Sequence, residues 1–191
     1  MDKAVFLDRD GTVNEQMGYV NHLSRFVLLP GAGQAIRTLN QGGIPVVLVT
    51  NQSGLARGYF PKALLETVHE QMKQLLAQEG AYIDAIYVCP HHPEAQVAQY
   101  RQNCRCRKPQ TGLLDQAAAD MQLDLSRSFM VGDRWSDLEC GSRAGAAPVL
   151  VLTGYGQGEL EYIGPQKTVQ PVFVAENLLA AAKQIFRLLA C

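Results

Sequence analysis

The stretch Ala4-Val5-Phe6-Leu7-Asp8-Arg9-Asp10-Gly11-Thr12 decides how the rest of the chain is read. Its first four residues form a short apolar run that reads as a buried strand. Two carboxylates follow where that strand runs out into a Gly-containing loop, which is where open α/β sheets place their chemistry. Residues two apart on extended chain project to the same side, so Asp8 and Asp10 could converge on one cation or one substrate group. Two like charges that close need a counter-charge, most simply Mg²⁺. Taken alone, the pair also fits an Asx-type turn with solvated carboxylates.

Working outward, strand and helix signals alternate. Apolar runs recur at Val46 to Val49, Ile86 to Val88, Phe129 to Val131, Val149 to Leu152 and Val172 to Val174. Helices are expected over Ala32 to Gln41, Pro61 to Glu79, about Leu113 to Met121, Ser136 to Ala144 and Glu176 to Leu189, several with Pro at the start or Gly at the stop. Such alternation implies an α/β fold, a doubly wound and mainly parallel sheet with helices on both faces. The 191 residues suffice for one domain with a sizeable core, taken as residues 1–191. The last helix is read as core packing, and the glycine-rich Gly154 to Gly164 as a surface loop.

Three more segments stand in order along this frame: Thr50-Asn51-Gln52-Ser53-Gly54, Arg107-Lys108-Pro109 and Gly132-Asp133-Arg134-Trp135-Ser136-Asp137. Each has a plainer reading alone, as a turn or an exposed pair. Together with the Asp8 segment they resemble the haloacid dehalogenase superfamily of phosphohydrolases over nearly the whole chain. Phosphoryl transfer needs a nucleophile, charge neutralisation on the non-bridging oxygens and a proton for the leaving group. Asp8 is the candidate nucleophile through an aspartyl-phosphate, and Asp10 the general acid and later base. Thr50 and Asn51 offer donors to phosphate oxygens, and Lys108 brings a point charge that does not compete for metal. Asp133 completes a hard oxygen site for Mg²⁺ with the Asp8 carboxylate and, as the resemblance implies, the Asp10 backbone carbonyl. Asp137 reads either as support behind that site or as a helix cap.

A second constellation is Cys89-Pro90-His91-His92-Pro93 followed by Cys104-Arg105-Cys106, with twelve residues between His91 and Cys104. Three thiols and an imidazole with no spare position suit a closed tetrahedral Zn²⁺ site in an inserted loop, 89–106. His91 is the expected ligand and His92 the alternative. Disulfides are the competing reading, disfavoured because Cys104 and Cys106 sit too close to pair comfortably and no signal peptide is apparent. Cys140 reads as a core thiol and Cys191 as incidental. A metal pinning this loop would also fix Arg107 and Lys108, which follow Cys106 directly.

Composition excludes several classes. The hydrophobic share of 47% and charged share of 18% are ordinary for a globular protein, and a net charge of −1 gives no field for nucleic acid or anionic membrane. No apolar stretch approaches eighteen residues. A cytoplasmic monomer acting on a small molecule is expected.

The connections between motifs leave no room for a cap domain, so small loops must select the substrate: Gln16-Met17-Gly18-Tyr19-Val20, Ser53 to Gly58 with Arg57, and the zinc loop. With Gly18-Tyr19-Val20, Thr50 through Gly58, and the two cysteine segments running into Arg107-Lys108-Pro109, the chain looks like the D-glycero-D-manno-heptose 1,7-bisphosphate 7-phosphatase family. Gln110-Thr111-Gly112 departs from that family's usual second Pro. The resemblance implies a Mg²⁺-dependent phosphatase serving ADP-heptose and lipopolysaccharide or surface-glycan precursors. Its substrate-binding residues would be Asp8, Arg9, Asp10, Gln16, Met17, Gly18, Tyr19, Thr50, Asn51, Gln52, Ser53, Arg57, Arg107 and Lys108. Histidinol-phosphate phosphatase is the nearest alternative. A non-catalytic, zinc-stabilised module holding a phosphorylated ligand is an alternative of another class, and a phosphomutase is disfavoured because no cap would shield the intermediate from water.

Overall fold

A computed structural model describes residues 2–190; Cys191 lies outside them. Six strands form one sheet: β1 (Val5–Leu7), β2 (Val46–Asn51), β3 (Ala85–Cys89), β4 (Phe129–Gly132), β5 (Ala147–Val151) and β6 (Phe173–Ala175). Their spatial order is β3-β2-β1-β4-β5-β6, and every neighbouring pair is parallel. The order turns at β1, whose two neighbours both come from later in the chain. A cleft outside the carboxyl ends of β1, β2 and β4 is the consequence.

The helices are α1 (Ala32–Gln41), α2 (Lys62–Gln78), α3 (Gly112–Met121), α4 (Trp135–Ala144), a single turn α5 (Gly156–Gly158) and α6 (Leu178–Ala190). Side chains alternate across the strands. Val5, Leu7, Val46 and Leu48 join one buried cluster with residues of α1, α2 and α6, while Phe6, Val47 and Val49 join another with α3 and Cys140 of α4. Burial on both faces explains why these strands read as unbroken apolar runs.

The stretch Gly154 to Gly164 differs from the loop expected of it. It winds through α5, a π-helical turn at Glu159–Ile163 and the start of a 3₁₀ turn at Gly164–Gln166. Glu159 Oε2 accepts the backbone N–H of Trp135 at 2.7 Å, an otherwise unpaired donor at the start of α4. Gly164 sits so close to the Trp135 ring that a Cβ would overlap it. Among the described residues no inserted cap covers the cleft, and no helix is long and apolar enough to cross a membrane.

Candidate active site

The cleft is about 410 Å³ in volume, with Asp8, Asp10, Asn51, Arg107, Lys108 and Asp137 in its lining. Its floor is organised by Lys108, which is buried. Nζ contacts Asp8 Oδ1 at 2.8 Å and Asp137 Oδ1 at 2.7 Å, and donates to the Val49 carbonyl at 2.8 Å. An ammonium has three protons, and each finds an acceptor here. Burial disfavours the charged amine, but Asp137 and Asp8 outweigh it and hold the Lys108 pKa above its ordinary value.

Asp137 does both jobs the sequence left open. Oδ1 pairs with Lys108, and Oδ2 accepts the Arg134 backbone N–H at 3.1 Å at the start of α4. Asp8, Asp133 and Asp137 each offer a carboxylate oxygen within 4.8 Å of the others. Burial, then the Asp8 and Asp137 charges, raises Asp133 to about 8. Burial likewise lifts Asp8 to about 6, with Lys108 opposing and Asp137 adding to the rise. Fully ionised, three carboxylates against one ammonium would leave two negative charges in excess; the raised Asp133 and Asp8 reflect that excess, which a divalent cation would balance.

One orphaned atom marks where such a cation fits. Asp133 Oδ2 accepts the Tyr155 backbone N–H at 2.8 Å, but Oδ1 is buried without a partner. The Asp10 carbonyl carries only a long contact, 3.5 Å from Gln16 Nε2. Both are hard oxygen ligands of the kind Mg²⁺ takes. Gly11, at φ +86°, and Gly154, at φ +58°, press against Asp133, and a Cβ at either would overlap its carboxylate. Only glycine serves there, both for the backbone angle and for the space.

Asp10 stands apart from this cluster. Arg9 Nη2 donates to both of its oxygens, at 2.8 and 2.9 Å, Asn14 Nδ2 to Oδ1 at 3.0 Å and Gln52 Nε2 to Oδ2 at 2.8 Å. Burial works to raise the Asp10 pKa, yet Arg9 and these hydrogen bonds hold it below its ordinary value.

Not every expected binding residue faces the cleft. Gln16, Gly18, Tyr19, Gln52, Ser53 and Arg57 line it. Arg9 is 1% exposed and directed at Asp10, and buried Thr50 accepts from Gln52 Nε2 at 2.9 Å. Met17 is outside the lining and lends its carbonyl to Arg25 Nη2 at 2.8 Å. Asn51 lines the cleft while its side chain binds the Lys108 backbone. Sequence reasoning passed over Asn14, His69 and Tyr155. Asn14 lies four residues past Asp10, and Tyr155 sits in the stretch read as a surface loop.

The loop after β3 gathers Cys89, His91, Cys104 and Cys106, with their ligand atoms all within 4.8 Å of one another. The Cys89 and Cys106 sulfurs are 2.9 Å apart, Cys104 and Cys106 3.4 Å, and His91 Nδ1 is 3.3 Å from Cys106 Sγ. The cysteines are free, and these separations far exceed a disulfide bond of about 2.05 Å. His92 faces elsewhere, its Nε2 3.1 Å from Arg57 Nη2. Burial, with the Cys106 contact adding, pushes the Cys89 thiol up, so the sulfur needs a cation to become the thiolate that ligates. Arg107 Nη1 donates to the His91 carbonyl at 3.3 Å, which ties a further cation of the cleft to this loop.

Comparison with known proteins shows the family of the chain. The Polynucleotide kinase 3 phosphatase family profile matches residues 4–141, and the HAD-hydrolase-like profile residues 105–181. The D-glycero-D-manno-heptose-1,7-bisphosphate 7-phosphatase of Thermosynechococcus vestitus is 45% identical over 186 residues, covering 95% of this chain and 94% of that protein. The D-glycero-beta-D-manno-heptose-1,7-bisphosphate 7-phosphatase of Haemophilus ducreyi is 47% identical over 154 residues, 80% of this chain and 84% of its own. Among solved structures, the D,D-heptose 1,7-bisphosphate phosphatase of B. bronchiseptica, complexed with magnesium and phosphate, has a TM-score of 0.87 at 41% identity, covering 97% of this chain and 98% of that one. On this identity and coverage, the chain belongs to the heptose 1,7-bisphosphate 7-phosphatase family of haloacid dehalogenase-like hydrolases.

Proposed function

We propose that the protein is a Mg²⁺-dependent phosphatase that removes the C7 phosphate of D-glycero-D-manno-heptose 1,7-bisphosphate, a step toward ADP-heptose for lipopolysaccharide or surface glycans. The observation that carries this reading is the placement of two of the cleft's four cationic side chains: Lys108 on the floor beside Asp8, and Arg107 tied to the cysteine loop. One suits the transferred phosphoryl group and the other a second phosphate. The names of the similar proteins support the same substrate.

In the proposed reaction Asp10, which Arg9 holds as a carboxylate in the free chain, first takes up a proton from solvent; an Asp8 oxygen then attacks phosphorus, and the C7 oxygen leaves with that proton. The Asp8–phosphate bond is then hydrolysed by water, whose proton passes to Asp10. A sugar alkoxide leaves poorly, so the proton is worth roughly 10²–10⁴ in rate. Lys108 holds Asp8 and offsets charge on the phosphoryl oxygens. Mg²⁺, held by Asp8, Asp133 and the Asp10 carbonyl, supplies further neutralisation of those oxygens when bound. Gln16, Gly18, Tyr19, Ser53 and Arg57 shape the sugar end, and Arg107 takes the C1 phosphate. Zn²⁺ on Cys89, His91, Cys104 and Cys106 holds the loop that carries Arg107. Residues 1–191 form one phosphatase domain, acting as a cytoplasmic monomer.

Phosphate release across sugar bisphosphates, their monophosphates and histidinol phosphate, with and without Mg²⁺, tests the reading. Turnover should require Mg²⁺ and favour the heptose bisphosphate, and Asp8→Asn should lose more than about a hundredfold in kcat, roughly 3 kcal/mol of transition-state stabilisation. A preference for histidinol phosphate would overturn the substrate, and an active Asp8→Asn variant the covalent mechanism.

A further inference from the structure

Asp10 is held from behind by Arg9, which lies outside the cleft lining, and the chain of contacts through Arg9 ends on a different element. Arg9 Nη2 and Nε all serve Asp10, while Nη1 lies 3.3 Å from Nε2 of His69 on α2. We propose that His69 is a positioning residue for proton transfer by Asp10, acting through the Arg9 guanidinium. A guanidinium has no lone pair to offer, so Nη1 is the donor and His69 Nε2 the acceptor. The ring is therefore neutral, with its proton on Nδ1. Burial and the Arg9 charge favour the same state, lowering its pKa to about 3.

His69 occupies a position that packing alone would fill with an apolar side chain. It shares the inner stripe of α2 with Leu65, Met72 and Leu76, four before, three after and seven after it, all buried. An acceptor at that point satisfies a buried Arg9 N–H and fixes the rotation of the guanidinium plane. That plane in turn fixes the Asp10 carboxylate, both of whose oxygens it grips. Without the acceptor, Arg9 can turn toward other oxygens and take Asp10 out of line with the leaving group.

The inference rests on Asp10 being the acid of the proposed reaction, and the test separates the two. Heptose bisphosphate needs a proton on its leaving oxygen, whereas 4-nitrophenyl phosphate releases a stable phenolate without one. kcat/KM is measured on both for Asp10→Asn, His69→Leu and His69→Gln. Asp10→Asn should lose far more on the bisphosphate than on the aryl ester. His69→Leu should lose about tenfold on the bisphosphate, the order of one hydrogen bond to a charged group, and much less on the aryl ester. His69→Gln, whose Oε1 reaches the place of Nε2, should recover most of that loss. If His69→Leu does not fold, as judged by circular dichroism, His69→Asn replaces it, since its oxygen reaches only the place of Nδ1. Equal losses on the two substrates, or no loss, with Asp10→Asn still sensitive to the leaving group, overturn the role of His69 alone. An Asp10→Asn variant insensitive to the leaving group overturns the acid assignment and the inference with it.

Discussion

Asn51 and Lys108 exchange two hydrogen bonds across 57 residues of chain: Asn51 Nδ2 donates to the Lys108 carbonyl at 3.2 Å, and the Lys108 N–H donates to Asn51 Oδ1 at 3.1 Å. The end of β2 thereby holds the backbone of the residue that delivers the buried ammonium to Asp8. Asn51→Ala leaves two backbone groups without partners, at a cost of about 1–3 kcal/mol. A lower melting temperature and a roughly tenfold drop in kcat/KM are expected, the latter from a misplaced Lys108. Unchanged kinetics would mean that the loop holds Lys108 without the clamp.

Arg107 and Lys108 are adjacent but should fail differently. Arg107→Ala is expected to lower kcat/KM for the bisphosphate about ten- to a hundredfold, the value of a charge-assisted phosphate contact, with much less effect on a monophosphate. Lys108→Ala should damage both substrates alike, and it should also destabilise the fold by several kcal/mol, since it strands the buried Asp8 and Asp137 carboxylates. Kinetics on the two substrates and a thermal melt distinguish the variants; equal losses in the Arg107 variant would remove Arg107 from the second phosphate site.

Removing zinc should act on specificity before chemistry. Freshly reduced protein is expected to hold about one zinc per chain by elemental analysis. Cys104→Ser should weaken that binding and raise KM for the bisphosphate more than for a monophosphate, because the His91 carbonyl that orients Arg107 lies in the loosened loop. A zinc-free protein with normal KM would contradict this.

The pH dependence of stability follows from His69. Its pKa falls from the ordinary 6.5 to about 3 in the folded chain, so below 6.5 the unfolded chain takes up a proton that the folded chain refuses. Stability is therefore fully present above pH 6.5 and is lost as pH falls toward 3. His69→Gln cannot titrate, so the melting-temperature gap between wild type and variant should shift against the wild type on going from pH 7 to pH 5. A constant gap would show that the folded ring accepts the proton.

The strands and the ends that carry Asp8, Asn51 and Asp133 were legible because apolar runs buried on both faces leave a strong signal, and carboxylates at their ends leave another. The cysteine cluster was legible from ligand type and spacing, though the choice of His91 over His92 needed the loop's path, which turns His92 to Arg57. The Asn51 clamp was not legible, because its partner is set by where β2 meets a distant loop. The helical turns around Glu159 were hidden by three glycines in nine residues, Gly156, Gly158 and Gly164, which look like loop; their order comes from the cap on Trp135. His69 left a readable trace, a polar residue within the apolar stripe of α2, but its partner Arg9 lies 60 positions away.

The central claim is the position of the bond that is cut. Phosphorus NMR of D-glycero-D-manno-heptose 1,7-bisphosphate incubated with the enzyme and Mg²⁺ reads this directly. The C7 resonance should disappear with matching growth of inorganic phosphate, leaving the anomeric C1 phosphate intact. Loss of the C1 signal first, or no reaction under conditions where histidinol phosphate is consumed, would contradict the account.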